Sequence, residues 1–349
     1  MELYESNGVG AKFLSQSLND AINLGVGIAS FIVLANYGSL HSRSFLRNQN
    51  KDNGHCNVTE AKVRRLPTFV GIGPTRTGTT WLHAAFQGCV GLPRRTKETD
   101  YFSNNYSLGF SWYLSHFRSY PSAMVLGEFT PTYFDYQDSP ARIAQDLPDC
   151  KIVCTLRDPV DRIYSHYRLL RSEGWIGRQT LFEALEHHSR WRDGAGNMLG
   201  TNRYAFHLSR WFREFGRENV LVAFVEDLKT NPQQYLNDIA DFIRAPRVDL
   251  QTTGIANKQL NLNPSQRAPL HPHLASRARR LRDSLERKRF YRTLEFLQPF
   301  FRYCYGRGTL FSPLDPETEQ VLRERFRPEV DALEDLLGRE ISQWRVTAK

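Results

Sequence analysis

The feature that most constrains this chain is a short apolar run that leads into a turn rich in glycine and threonine and then into a helix-like segment. Residues 69–82 read FVGIGPTRTGTTWL, with Gly73 and Gly78 at the two ends of the turn. A loop of this kind points backbone N–H groups and a helix N-terminus at an anion, and the helix dipole adds to the attraction. The segment therefore predicts a phosphate-binding loop between a strand and a helix.

The turn departs from the phosphate loop of nucleotide hydrolases at its basic residue. The outline GxxxxGK[ST] requires lysine at position 79, where this chain has Thr79, and the basic side chain stands three positions earlier as Arg76. In those hydrolases the lysine reaches the β- and γ-phosphates, so its absence argues against an ATP or GTP hydrolase. The hydroxyls of Thr77, Thr79 and Thr80 would add hydrogen-bond donors to an anion site. The alternative is a turn that only connects strand to helix.

Apolar runs and helical patterns alternate along the rest of the chain. Besides the run at 68–72, the runs at 151–156 and 220–225 read as buried strands, each next to a segment with helical spacing. Asn231 followed by Pro232 is a typical helix start. Strands that alternate with helices predict an α/β fold with a mainly parallel sheet flanked by helices on both faces.

A second motif follows the apolar run at 151–156, where the sequence continues RDPVDRIYSHY. Arg157 stands at the carboxyl end of the expected strand, the edge at which open α/β sheets bind ligands. Ser165 lies about two helical turns further on. A guanidinium fork and a hydroxyl suit a terminal phosphate group. Arg-Asp-Pro alone is as typical of a turn that ends a strand as of a phosphate site. The signal becomes specific because the motif occurs together with the first loop.

Together the two motifs resemble those of the sulfotransferases that use 3′-phosphoadenosine 5′-phosphosulfate (PAPS). Their 5′-phosphosulfate loop commonly reads PKSGTTW or PRSGTTW, which the stretch PTRTGTTW at 74–81 matches with one inserted residue. The resemblance implies a P-loop-like sulfotransferase fold in which Arg76 takes the place of the catalytic lysine, at the 5′-phosphate and the bridging oxygen. It also implies the following donor-binding residues: Arg76, Thr77, Gly78, Thr79, Thr80, Trp81, Arg157 and Ser165.

A third segment, KETDYF at 97–102, resembles the sequence around the catalytic glutamate of glycan sulfotransferases. That match implies Glu98 as the general base, which takes the proton from the acceptor as its oxygen or nitrogen attacks sulfur in line. Two departures concern the acceptor side. Asp100 stands where those relatives often carry histidine, and GEFTP at 127–131 has Phe129 in place of the lysine of their E-K-[ST]-P motif.

These acidic residues have a second interpretation each. Glu98 could be a solvent-facing loop carboxylate, and Glu128 could be a structural partner inside the protein rather than a substrate contact. His83 and His166 are alternative bases, although a histidine on a helix more often packs against its neighbours.

The function implied by the resemblance is transfer of a sulfuryl group from PAPS to a hydroxyl or amine, with a carbohydrate as the favoured acceptor. PAPS is then a co-substrate, and no metal is expected, because its phosphates meet protein cations and backbone amides. Two alternatives stay open. A P-loop nucleotide kinase would need the lysine that position 79 lacks, and a nonenzymatic nucleotide-binding protein would have no use for a base at Glu98.

The charge balance also predicts an anionic partner, since the formal net charge is +9. We expect a small-molecule donor and a glycan or other hydroxyl acceptor as partners, and no nucleic acid. A helix near 273–292 is rich in arginine. The arginines indicate either a solvent-exposed helix face or a surface that attracts an acidic acceptor or a membrane.

Residues 1–66 read as an apolar segment and a polar linker ahead of a sulfotransferase domain at 67–349. The apolar stretch at 21–40 contains two asparagines and falls a little short of the ~20 residues that a spanning helix needs. It predicts either a buried or peripheral helix or a membrane anchor, and the basic residues after it would keep the body in the cytoplasm. Five scattered cysteines without metal-site spacing fit a reducing compartment. We therefore expect a cytoplasmic protein whose membrane contact, where present, is made by residues 21–40.

Overall fold

A parallel four-stranded sheet organises the computed structural model, which describes residues 65–345 except 119, 189–197, 254–266 and 289. The strand order is β2-β1-β3-β4. Phe69 pairs with Gly127 on one side and with Lys151 on the other, and Ile152 pairs with Val220. The strands are β1 (Phe69–Ile72), β2 (Gly127–Phe129), β3 (Lys151–Leu156) and β4 (Val220–Phe224).

The helices lie between and after the strands. Asp158, Asn231 and Asp315 cap three of them with their side chains, each followed by a proline in the first turn. A capping oxygen accepts a backbone N–H that the helix leaves unpaired, and proline has no N–H to leave unpaired. In chain order the helices are α1 (Thr79–Phe86), α2 (Phe110–Leu114), α3 (Ser139–Asp146), α4 (Pro159–Ser172), α5 (Leu181–His188), α6 (Tyr204–Phe215), α7 (Val225–Thr230), α8 (Pro232–Phe242), α9 (Leu250–Thr253), α10 (Pro272–Arg287), α11 (Tyr291–Phe296), α12 (Gln298–Cys304) and α13 (Pro316–Leu337).

Both faces of the sheet are covered, because its side chains alternate between two apolar clusters. On one face Val70 and Ile152 are fully buried in a cluster that includes Trp211 of α6 and residues of α13. On the other face Phe69 and Val153 are fully buried against α1 and α8. Burial on both faces is the arrangement expected of a parallel sheet. The predicted α/β fold is confirmed, and the packed sheet gives a rigid edge from which loops can present functional groups.

The predicted elements are present with small shifts at their ends. The strand predicted at 151–156 is β3, and those predicted at 68–72 and 220–225 each lose one residue. The basic helix predicted near 273–292 is α10. The strand β2 was not predicted, because it has three residues and a charged Glu128 at its centre, which strand propensity disfavours.

The predicted apolar segment at 21–40 and its linker as far as residue 64 lie outside the described residues, so the domain boundary after residue 66 stays a prediction. Among the residues that the structure describes, no helix is long and apolar enough to cross a membrane.

Candidate active site

The phosphate-loop motif forms the predicted turn between β1 and α1, at the carboxyl end of the sheet. Gly73 has φ +143°, and a Cβ there would lie 2.3 Å from the carbonyl oxygen of Thr155. Gly78, with φ +86°, precedes α1 directly. Both conformations favour glycine. Since the first N–H groups of a helix have no partner within it, the loop presents donors and the positive end of a helix dipole to an anion.

The threonines of this loop lie in different environments. Thr77 is fully buried, its hydroxyl donating to the carbonyl oxygen of Pro74 at 2.7 Å and lying 2.8 Å from the hydroxyl of Thr155. The Thr77 hydroxyl thus has partners within the protein, and its donation to a ligand stays a prediction. Its backbone N–H remains part of the candidate site. At the start of α1, Thr79 is buried and Thr80 is exposed.

Arg76 connects the two predicted phosphate motifs. Its Nε donates to the hydroxyl of Ser165 at 2.9 Å, across 89 residues of sequence. The backbone of Arg76 has φ +82°, which residues other than glycine rarely adopt. Burial, together with the charges of Arg157 and Arg168, lowers the pKa of Arg76 to about 10, and the charge of Glu173 opposes this. Arg76 is therefore cationic at neutral pH, in a cluster of like charges that favours a bound anion.

Arg157 lies directly after β3, as predicted, with a largely buried side chain. Its Nη2 donates to the Asp161 carboxylate at 3.1 Å, and its carbonyl oxygen accepts from the Tyr204 hydroxyl at 3.0 Å. Burial alone would raise the pKa of Asp161, but the charges of Arg157 and Lys229 lower it. The Nε of Arg157 is buried without a hydrogen-bond partner. A phosphate oxygen would satisfy this donor.

Arg162, which the sequence did not single out, supports the candidate site from within. It is fully buried on α4, where it donates to the carbonyl oxygens of Thr75 at 3.4 Å and Met198 at 2.7 Å and to the side chain of Asn202. Burial lowers its pKa. The bond to Thr75 ties the phosphate loop to α4. A charged residue one turn into a helix is usually exposed, so the sequence carried no signal for this role.

A ring of hydrogen bonds ties the Arg-Asp-Pro turn to the C-terminal helix α13. The Asp158 carboxylate accepts from Arg323 at 3.1 Å, and Arg323 also donates to the carbonyl oxygen of Trp344 at 3.1 Å. The Trp344 indole donates to the Glu226 carboxylate at 3.1 Å, which in turn accepts from the backbone N–H of Asp158 at 3.2 Å. The turn that carries Arg157 is therefore fixed from several sides.

Glu98 lies in the irregular segment between α1 and α2. Its carboxylate contacts the ammonium of Lys97, and its carbonyl oxygen accepts from the Thr96 hydroxyl at 2.8 Å. The Glu98 side chain is 36% exposed. A general base must reach the proton of its substrate, and this carboxylate is accessible enough to do so. Its role as the base stays a prediction, because a solvent-facing loop carboxylate would have the same exposure.

Glu128 is fully buried at the centre of β2, which agrees with its structural interpretation. Its carboxylate accepts from the hydroxyls of Thr99 at 2.7 Å, Thr130 at 2.7 Å and Tyr133 at 3.2 Å. Burial raises the pKa of Glu128, and these hydrogen bonds oppose the rise. Because Thr99 follows Glu98 directly, the buried carboxylate fixes the backbone that carries the candidate base.

Two other titratable groups lie near Glu98. Asp100 has φ +49° and accepts from the Thr132 hydroxyl. Burial raises the pKa of Asp100, and the negative charge of Glu98 adds to the rise. Burial lowers the pKa of His83, which the charge of Glu98 opposes. His166 is almost completely buried on α4, as a packed histidine would be. No group of three or more His, Cys, Asp or Glu residues that could hold a metal ion occurs in the part of the chain that the structure describes.

Comparison with known proteins identifies the family. The model of the sulfotransferase domain matches residues 67–291. The bifunctional heparan sulfate N-deacetylase/N-sulfotransferase 2 of Homo sapiens is 32% identical over 199 residues, 53% of this chain and 22% of that protein. The bifunctional heparan sulfate N-deacetylase/N-sulfotransferase of Drosophila melanogaster is 29% identical over 205 residues, 51% of this chain and 20% of that protein. The chain thus matches about a fifth of the length of these relatives.

A solved structure has the same fold. The crystal structure of a sulfotransferase from Alicyclobacillus acidocaldarius aligns with a TM-score of 0.57 and 20% identity, covering 81% of this chain and all of the other. The family match spans more than half of the chain and includes the phosphate loop, Glu98 and the Arg-Asp-Pro motif. The chain therefore belongs to the sulfotransferase family and is an enzyme of that family.

Proposed function

We propose that this protein transfers a sulfuryl group from PAPS to a hydroxyl or amine of a glycan. The single observation that supports this most strongly is the hydrogen bond from Arg76 to Ser165 at 2.9 Å. It brings together a loop suited to one phosphate and a motif suited to another. A donor with phosphates on both its 5′ and 3′ positions would engage the two motifs at once.

The donor site is proposed as follows. The backbone N–H groups at the start of α1 and the guanidinium of Arg76 hold the 5′-phosphosulfate. Arg157 and Ser165 hold the 3′-phosphate, and the buried, unpartnered Nε of Arg157 supports this role. These cations and amides fit the anionic donor, since guanidiniums crowded together are stabilised by a bound anion.

The proposed mechanism is an in-line displacement at sulfur. Glu98 takes the proton of the attacking hydroxyl or amine, and the S–O bond to the 5′-phosphate breaks as the new S–O or S–N bond forms. Arg76 stabilises the negative charge that develops on the departing phosphate. The glycan acceptor is proposed because the matched relatives are named heparan sulfate N-sulfotransferases. A partly exposed Glu98 is compatible with a bulky acceptor.

Calorimetry tests the donor site directly. We expect adenosine 3′,5′-bisphosphate to bind far more tightly than 5′-AMP, without added magnesium. Arg157→Ala should remove most of that preference, since a charged hydrogen bond contributes roughly 1.5–3 kcal/mol. Arg178→Ala is a control, because this side chain is exposed and outside the proposed site. Equal affinity of the parent enzyme for the two nucleotides would contradict the 3′-phosphate assignment.

The proposed location is the cytoplasm, with residues 21–40 in peripheral contact with a membrane. Arg43, Arg47 and Lys51 follow that apolar stretch, and basic flanks favour the cytoplasmic side. Fractionation of cells that produce the full chain should find any membrane-bound protein released by alkaline carbonate. Resistance to carbonate would instead indicate an integral anchor.

A further inference from the structure

One face of α4 presents a row of polar side chains at successive helical turns: Asp161, Ser165 and Arg168. Asp161 accepts from Arg157, and Ser165 accepts from Arg76. Arg168 is three residues beyond Ser165, which in an α-helix places the two side chains on the same face. Arg168 therefore extends by one turn the surface that carries the proposed 3′-phosphate ligands.

The charges at this face are unbalanced. The charges of Arg157 and Arg168 both lower the pKa of Arg76, as does its burial. Burial lowers the pKa of Arg168 as well, and the charge of Arg157 adds to that effect. Three guanidiniums thus lie close enough to repel one another, while Asp161 is shared between Arg157 and Lys229. Half-buried like charges are costly unless an anion joins them.

Arg168 also has a hydrogen-bond donor without a partner. Its guanidinium carbon lies over the Tyr164 ring, 5.0 Å from the ring centre. An aromatic face accepts none of the conventional hydrogen bonds of the guanidinium, which has five N–H donors. Its Nε is buried without a hydrogen-bond partner, as is the Nε of Arg157. Buried donors in proteins are nearly always satisfied, so two such donors on guanidiniums whose charges interact point to a ligand with several acceptor oxygens.

We propose that Arg168 is a third ligand of the donor's 3′-phosphate, together with Arg157 and Ser165. This rests on the proposed use of PAPS. A terminal phosphate carries three acceptor oxygens and nearly two negative charges, which match two guanidiniums and a hydroxyl. The cation–π contact with Tyr164 restricts the Arg168 guanidinium before the nucleotide arrives, which reduces the ordering cost of binding.

Calorimetry of Arg168→Ala with adenosine 3′,5′-bisphosphate and with 5′-AMP tests this ligand. Affinity for the bisphosphate should fall about 10- to 100-fold, the effect of one charged hydrogen bond, while affinity for 5′-AMP stays unchanged. Arg168→Lys keeps the charge but loses the forked guanidinium, so its affinity for the bisphosphate should lie between those of the parent and Arg168→Ala. Arg171→Ala is the matched control on the same helix. The Nε of Arg171 is likewise buried without a partner, but Arg171 is six residues beyond Ser165 and therefore on a different face of α4. Its guanidinium donates to the Tyr167 hydroxyl at 3.0 Å, and we expect Arg171→Ala to keep the full bisphosphate preference.

Thermal unfolding distinguishes a ligand from a structural residue. Without nucleotide, Arg168→Ala should melt no lower than the parent, because its loss relieves repulsion among the guanidiniums. A lower melting temperature with an equal loss of both nucleotides would make Arg168 structural and overturn the proposal. Unchanged affinity of Arg168→Ala for the bisphosphate would also overturn the proposal. If the parent enzyme still prefers the bisphosphate over 5′-AMP in that case, the proposed donor stands. If the parent has no such preference, the proposed donor and the proposed role of Arg168 are both overturned.

Discussion

Replacing Glu98 with glutamine should lower the single-turnover rate of sulfuryl transfer by about 10²–10⁴-fold at saturating donor, the usual contribution of a general base. Glutamine keeps the shape of the side chain but cannot accept the acceptor's proton. The donor should bind normally, because the proposed donor ligands lie on the phosphate loop and on the Arg-Asp-Pro motif. Calorimetry with adenosine 3′,5′-bisphosphate checks that binding independently of the rate.

His166→Ala and His83→Ala are the comparisons for this experiment. Both should give milder defects than Glu98→Gln, because His166 is buried within α4 and His83 is partly buried on α1, so that each substitution acts through packing. If Glu98→Gln stays within a few-fold of the parent while His166→Ala is inactive, the base has been misassigned. Small-molecule acceptors would then become more plausible than glycans.

Replacing Arg76 with alanine should reduce turnover at saturating donor by about 10²–10³-fold, the typical loss when one group that stabilises transition-state charge is removed. The charge that Arg76 meets develops only as the S–O bond breaks, so the defect should fall on turnover more than on donor affinity. Arg76→Lys should retain part of the activity, because lysine supplies the same charge and is the residue usual in the family.

Arg76 also donates to Ser165, so some loss of donor affinity is expected with the alanine variant. Ser165→Ala removes that hydrogen bond and a proposed 3′-phosphate ligand while it leaves the Arg76 charge in place, so it should lower donor affinity and largely keep turnover at saturating donor. A fall in donor affinity alone, with turnover at saturation intact, would make Arg76 a phosphate anchor and not a catalytic residue.

The strands and helices that could be predicted are those with strong local signals. β3 is a run of apolar residues, and it ends where Asp158 caps α4 and Pro159 occupies the first turn. A capping residue followed by proline likewise predicted the start of α8 after Asn231. The phosphate loop was predictable because Gly73 and Gly78 are required by backbone conformations that other residues avoid.

The remaining features depend on partners that are distant in sequence. Glu128 gave no strand signal, because its hydroxyl partners come together only in the fold. Arg162 and Arg323 look like surface arginines until their acceptors are known, and Asp158 and Arg323 are 165 residues apart. The protein partners of the Thr77 hydroxyl could not be predicted for the same reason, since Thr155 lies on another strand. Sequence therefore located the phosphate motifs but not the network that holds them.

The most direct measurement of the proposed function is incubation of the enzyme with PAPS labelled with radiosulfur in the sulfuryl group, together with a panel of acceptors. The panel should include glycans with free amines, glycans with free hydroxyls only, and small alcohols and phenols. We predict that label moves to a glycan, without a requirement for magnesium, and that Glu98→Gln and Arg76→Ala each abolish most of the transfer. The proposed function would be contradicted if the label stayed on the nucleotide with every acceptor and the enzyme instead transferred the γ-phosphate of ATP in the presence of magnesium.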